Sequence, residues 1–143
     1  MSETVDANIL VYASSGSDPL HAEASRLIEK IAAGPNIFYL FWPVALGYLR
    51  IVTHPGILRR PLSFAEASAN IAELVALPHV RAPGETDNFW RMFLSVAGGQ
   101  ERGNSIPDAH IAALMREHGV ATIYTRDRDF RRFDGINAVD PFN

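Results

Sequence analysis

Three aspartates at separate places in the chain have the type and setting to act together. Asp108 lies in Ile106-Pro107-Asp108-Ala109-His110-Ile111-Ala112-Ala113, just inside the start of a helical pattern. Asp127 lies in Thr125-Arg126-Asp127-Arg128-Asp129-Phe130, just after an apolar run, and Asp6 lies in Val5-Asp6-Ala7-Asn8 near the first residue. Carboxylates gathered in one cleft repel one another and raise one another's pKa. A hard divalent ion offsets that repulsion, because Mg²⁺ or Mn²⁺ prefers oxygen ligands, keeps several waters and is held by few carboxylates. Such an ion lowers the pKa of a bound water, orients it toward a phosphodiester and stabilises the leaving oxygen. Each aspartate also has a plainer reading. Asp108 suits the first helical turn, where capping geometry and the helix dipole favour any acid. Asp127 and Asp129 alternate with Arg126 and Arg128, as in a solvated ion-pair loop. Asp6 beside an apolar strand is the hardest of the three to explain without chemistry.

The elements that must position these residues follow from periodicity. Residues 4 to 6 read as the end of a short strand, and Asn8-Ile9-Leu10-Val11-Tyr12 runs apolar into a first corner at Ser14-Ser15-Gly16-Ser17-Asp18-Pro19. Ala24, Leu27, Ile28 and Ile31 recur at helical spacing from His21 to Ala33, and Gly34-Pro35 ends the run. Ile37-Phe38-Tyr39-Leu40-Phe41 is apolar without alternation, as in a strand buried on both faces. Pro43 suits the first turn of a helix running from about Val44 to Val52, which carries Gly47 in its interior. Ser63 and Glu66 have the spacing of a capping box, and Phe64, Ala67, Ile71, Leu74 and Val75 form one stripe.

Val80 marks a short strand, Thr86 or Asp87 caps the next helix, and Gly98-Gly99 stops it. Ser105 and Asp108 repeat the capping spacing at the head of a helix that ends near Gly119. Strands follow at 120–125 and 137–139, with a short helix or turn between Asp127 and Phe133. Strands alternating with helices imply right-handed crossovers, hence an α/β domain with a mainly parallel sheet of about five short strands covered on both faces. In such a sheet ligands bind beyond the carboxyl ends of the strands, near the point where strand order reverses. Asp6, Asp127 and the helix start at Asp108 all fall on that rim.

Composition narrows the chemistry. The 143 residues fit one domain spanning 1–143, with 48% apolar and 20% charged residues, an ordinary globular balance. The chain has no cysteine, which excludes disulfides, thiolate metal sites and a cysteine nucleophile. It has no apolar run of about 18 residues and no basic-then-apolar leader, so the expected compartment is the cytoplasm. The net charge is −3, yet twelve of the thirteen basic residues are arginine, whose planar fork matches phosphate. Genome composition produces the same bias.

The segments Val5 to Tyr12, Pro107 to Ala113 and Thr125 to Phe130, in this order and spacing, resemble the PIN-domain family, and more narrowly the VapC ribonuclease toxins of VapBC toxin–antitoxin pairs. The resemblance implies a three-layer α/β/α domain, Mg²⁺- or Mn²⁺-dependent cleavage of RNA, homodimers and a cognate VapB-type antitoxin seated in the active-site groove. By position it makes Asp6, Asp108 and Asp127 the metal-binding catalytic acids, with Asp129 contributing through a water. Asn8 and Thr125 would orient a carboxylate or a water. The substrate would be transfer or ribosomal RNA. Most of the family carries a glutamate on the helix after the second strand, where this chain has Gly47 or Tyr48. That departure bears on a second ion, and leaves a catalytically weakened RNA- or partner-binding domain as the alternative.

Other candidates are weaker. His110 is two residues from Asp108, a rotation of roughly 200° on a helix, so it points away from the acid. His21, His54, His79 and His118 share no metal-binding spacing. Arg126, Arg128, Arg131 and Arg132 flank the acids and, with Arg50 and Arg102, are candidates for RNA phosphates. Phe38, Tyr39, Phe41 and Trp42 suit a core or dimer surface better than a base-stacking platform. A receiver-type phosphoacceptor domain needs a late lysine, and the only lysine is Lys30. A haloacid-type phosphatase needs a second aspartate where Asn8 stands, and no G-x-x-x-x-G-K loop is present.

Overall fold

A computed structural model describes residues 2–143. Its centre is a five-stranded, wholly parallel sheet in the order β3-β2-β1-β4-β5, built from β1 (Ser2–Val5), β2 (Ile37–Tyr39), β3 (Val80–Arg81), β4 (Thr122–Tyr124) and β5 (Asn137–Val139). The helices are α1 (Ala7–Ser14), α2 (His21–Ala33), α3 (Trp42–Val52), α4 (Phe64–Val75), α5 (Phe89–Ala97) and α6 (Ser105–Glu117), with a 3₁₀ turn at Arg128–Arg132. Successive strands step outward from β1 through β2 to β3, then cross to β4 and β5 on the other side. With right-handed crossovers, the two directions put α1 to α4 on one face and α5 and α6 on the other. The reversal lies between β1 and β4, which pair Glu3 with Thr122, Thr4 with Ile123 and Val5 with Tyr124.

The core follows from the apolar pattern. Val5, Phe38 and Ile123 from the sheet are fully buried, as are Ile9 on α1, Val44 and Val52 on α3, and Ala109, Ala112 and Ala113 on α6. Leu40 and Phe41 are also fully buried although β2 stops at Tyr39, so the aromatic run is core but only its first part is strand. Thr4 is a buried polar exception, and its hydroxyl donates to the Tyr39 carbonyl at 2.7 Å across β1 and β2.

Several elements stand where periodicity placed them. α2 ends at Gly34, and Ser63 and Glu66 form both bonds of the capping box at the head of α4. Pro43 lies in the first turn of α3, which begins two residues earlier than the expected Val44. Gly98 and Gly119 follow α5 and α6 at φ of 70° each, a conformation that favours glycine.

The structure assigns one unassigned run and corrects two local expectations. The apolar run at Asn8 to Tyr12 is part of a helix, α1, which buries Ile9, Leu10 and Val11 on different sides and so lacks a clean amphipathic signal. α5 is preceded by Asn88, without a side-chain cap bond, in place of Thr86 or Asp87; the Thr86 hydroxyl oxygen accepts from the Asn88 N–H at 3.2 Å. Ser105 is the first residue of α6, not its cap. Its hydroxyl accepts from the Arg102 N–H and donates to the Arg102 carbonyl, both at 2.9 Å, so no capping box with Asp108 forms.

Tyr48 joins three helices. It is 1% exposed, its hydroxyl is 2.6 Å from Ser14 Oγ, and it accepts from Asn70 Nδ2 at 2.9 Å. Tyr48→Phe removes both bonds and is expected to lower stability by about 1 to 2 kcal/mol, toward the smaller value because exposed Asn70 can turn to water. Urea unfolding with an unchanged m-value measures it, and no shift in midpoint would show the bonds contribute nothing.

Candidate active site

The β1/β4 junction sets the site. The Asp6 N–H donates to the Tyr124 carbonyl at 2.9 Å, which continues the ladder one residue beyond the strands and puts Asp6 beside Thr125. Asp6 is also the N-cap of α1, with its Oδ1 accepting from the Ala7 N–H at 2.7 Å. The strand-end reading of the sequence did not contain this structural role. Its other oxygen, Oδ2, accepts from Thr125 Oγ1 at 3.0 Å. Thr125 is 3% exposed, and the same hydroxyl oxygen accepts from the Asp127 N–H at 2.9 Å. One buried hydroxyl therefore ties the carboxylate after β1 to the turn after β4, across 119 residues of sequence.

Asp127 opens the 3₁₀ turn, and its Oδ1 accepts from the Asp129 N–H at 2.9 Å. Asp108 reaches the rim because α6 leads into β4 and so begins at the sheet's carboxyl edge, with Asp108 in its first turn. Burial pushes the Asp108 pKa up to about 7, helped by the charges of Asp127 and Asp6 and by a hydrogen bond to Asp127, while Arg132 opposes the shift. Asp6 is raised as well, chiefly by burial. The bonds from Thr125 and Ala7 counter part of that, and the Asp127 charge adds to it.

The three acids thus come close enough to feel one another's charge. A cation would relieve what raises their pKa values, and the donors are hard oxygens, so the chemistry of the set fits Mg²⁺ or Mn²⁺. Among the described residues, no three His, Asp or Glu side chains are already closed around a common point that would hold an ion. Instead, Asp6 is held by Thr125 and Ala7, and the Asp127 carboxylate by the Asp129 N–H.

The remaining candidates fall into two groups. Asn8 is exposed on the first turn of α1, and Asp129 is exposed beside Asp127. Arg50, Arg102 and Arg128 are exposed as well. Arg126 lies 4.0 Å from Asp140 and 5.9 Å from the centre of the Phe142 ring, so the C-terminal segment engages it. Arg132 is the residue the sequence undervalued. It pairs with Glu101, donates to the Asp129 carbonyl at 2.8 Å, and lies 4.1 Å over the Phe133 ring, which makes it an internal counter-charge for Asp108. Nothing local distinguishes it from its three arginine neighbours.

The histidines are engaged elsewhere. His110 lies 2.9 Å from Glu85, while His79 and His118 meet the carbonyls of Ile31 and Gly84. At the position of the family glutamate, a Cβ built on Gly47 would meet only Ala7 Cβ, at 3.5 Å, next to Asp6. Tyr48 is committed to Ser14 and Asn70.

Known proteins resemble the chain over nearly its whole length. A PIN domain model matches residues 4–136. "Ribonuclease VapC48" of Mycobacterium tuberculosis H37Rv is 51% identical over 144 residues, covering 100% of this chain and 99% of its own. "Ribonuclease VapC37" of the same strain is 33% identical over 141 residues, covering 96% and 95%. Among solved structures, M. tuberculosis VapC20, described as a sarcin-ricin loop cleaving toxin, superposes with a TM-score of 0.67 at 22% identity, covering 94% of this chain and 98% of that one. Rickettsia felis VapBC2 bound to a DNA fragment from its promoter gives 0.67 at 15%, covering 97% and 98%; these two likenesses concern the fold alone. Match by match and nearly end to end, the chain belongs to the PIN-domain family, among the VapC ribonucleases.

Proposed function

We propose that this chain is a metal-dependent endoribonuclease, the toxin of a type II toxin–antitoxin pair. The observation that carries the reading is the coupled set Asp6, Asp108 and Asp127 at the β1/β4 switch point, with Asp108 displaced to about 7 by burial and by the other two charges. Asp6, Asp108 and Asp127 would hold Mg²⁺ or Mn²⁺. Bound there, the ion supplies an activated water and charge compensation at the phosphodiester. Thr125 fixes the Asp6 oxygen and the Asp127 turn at once, which supports a set relation between these two acids. Asp129, beside Asp127, would act through a water. Exposed Arg50, Arg102 and Arg128 are free to meet RNA phosphates, whereas Arg126 would have to leave Asp140.

Transfer or ribosomal RNA is the substrate class, and a VapB-type antitoxin is the expected partner; R. felis VapBC2 and a Klebsiella pneumoniae toxin–antitoxin complex share the fold. A homodimer would cover the exposed pairs Trp42 and Leu46 on α3 and Trp90 and Leu94 on α5. No helix among the described residues is long and apolar enough to cross a membrane. Cleavage of transfer and ribosomal RNA with Mg²⁺, with Mn²⁺ and with EDTA, in the wild type and Asp6→Asn, tests the enzyme directly. Binding without cleavage under either ion would favour the second reading, a weakened RNA- or partner-binding domain. That reading draws on Gly47 and on the open arrangement of the acids.

Gly47 makes a further prediction. Because a side chain there meets only Ala7 Cβ, Gly47→Glu is expected to fold and to tighten Mn²⁺ binding about tenfold, or ~1.4 kcal/mol. Replacing a helix glycine gains up to about 1 kcal/mol, which a fourth carboxylate opposes until an ion is present. Titration calorimetry with Mn²⁺ reads it, and unchanged affinity in a folded variant would rule out position 47 as a ligand site.

A further inference from the structure

A second concavity lies at the far end of α1 from Asp6. It encloses about 570 Å³ and is lined by Ser14, Ser15, Gly16, Ser17, Arg59, Arg60 and Leu62. No acid lines it. Asp18, the nearest in sequence, has Oδ1 occupied by the Leu20 N–H. Among the described residues the ion pairs are His110 with Glu85, Arg126 with Asp140 and Arg132 with Glu101, so Arg59 and Arg60 lack a carboxylate partner. Two exposed guanidinium groups beside the Ser15 and Ser17 hydroxyls, with the Ser14 hydroxyl held by Tyr48, form a donor-rich hollow, which fits a phosphate oxygen cluster.

The hollow is placed to serve the cleft. α1 starts at the Asp6 cap and ends at Ser14, so its eight residues carry the chain about 12 Å along the axis. Asn8 is exposed on the first turn of α1, and Ser14 and Ser15 at its other end line the hollow, so the helix itself joins the two places. A few nucleotides of single strand span that distance. Resting on the ribonuclease reading above, we infer that Arg59, Arg60 and the 14–17 serine turn form a remote subsite for the backbone phosphates of an RNA strand held at the acids. Contacts of this kind position a strand without reading its sequence.

The test is RNA binding in EDTA, which requires no cleavage, using a fluorescein-labelled oligoribonucleotide of about 12 nucleotides and a salt series. Arg59→Gln/Arg60→Gln is expected to weaken Kd about tenfold or more at 0.1 M salt and to lower the slope of log K against log salt by about 1.4. Ser17→Glu, which places a negative charge in the hollow, should reproduce the loss even if the double variant folds poorly. In cleavage assays the double variant should raise KM and leave kcat unchanged. An unchanged Kd and slope in folded variants would overturn the inference. So would an equal loss in Arg26→Gln/Arg91→Gln, which removes the same charge elsewhere. If inorganic phosphate raises the wild-type Tm but not that of the double variant, while both bind the oligomer equally, the hollow takes a small phosphate and the RNA subsite is excluded. A protein that binds RNA through Arg59 and Arg60 yet never cleaves would overturn the ribonuclease reading and leave this subsite standing.

Discussion

Asp6→Asn is expected to lower RNA cleavage by about 10³-fold or more, close to 4 kcal/mol of transition-state stabilisation, without unfolding the protein. The substitution keeps an oxygen for the Ala7 N–H, so the α1 cap survives. It removes the charge that an ion would share with Asp108 and Asp127. Stability should move the other way. Burial raises the Asp6 pKa despite the bonds from Thr125 and Ala7, so the ionised form is disfavoured by the fold. A neutral side chain escapes that desolvation and the repulsion from Asp127, and the ion-free Tm at neutral pH should not fall. Inactivity together with a collapsed Tm would mean that Asp6 serves mainly as a cap, and full activity would remove it from the site.

The second large effect joins pH, ion and stability. The folded Asp108 pKa is about 7 against a reference of 3.8, so its contribution is fully present below pH ~4 and lost as pH rises through 7. Ion-free protein should therefore lose Tm across that window, and Asp6, shifted in the same direction, adds to the loss. Asp108→Asn cannot ionise, so its Tm advantage over the wild type should grow from pH 4 to 7.5. Mn²⁺ at a hundred times its Kd should restore about 2.7 kcal/mol to the wild type, a rise of roughly 5 to 11 °C at this chain length. The variant should show little of that rise. Equal Mn²⁺ gains in both proteins would exclude Asp108 as a ligand, and a flat wild-type pH profile would show that the acids do not couple.

How much of this was legible beforehand depends on the range of each interaction. The amphipathic stripes of α2 and α4, the Ser63–Glu66 capping box and the glycine after α5 are set by residues within one or two turns, and the pattern showed them. α1 escaped because it is buried on several sides, which leaves no stripe to detect. The capping box expected at Ser105 failed for a local reason of another kind: the Ser105 hydroxyl found the Arg102 backbone first. Sequence spacing also placed Asp108 and Asp127 near a rim, since a helix that feeds a parallel strand must begin at that strand's carboxyl edge.

By itself the sequence determined the residue types, the order of the elements and the absence of thiolate from any metal site. Tertiary structure decided which of those residues meet. The strand order places β1 beside β4, and the register from Glu3 with Thr122 to Val5 with Tyr124 ends both strands together. Only that pairing lets the Thr125 hydroxyl bridge Asp6 and Asp127, and only the packing of the 3₁₀ turn against α6 turns Arg132 toward Asp108. Periodicity records the face a residue shows to the core within its own element. It carries no record of which distant element closes against that face, because this is set by crossover handedness and shared burial across the whole sheet.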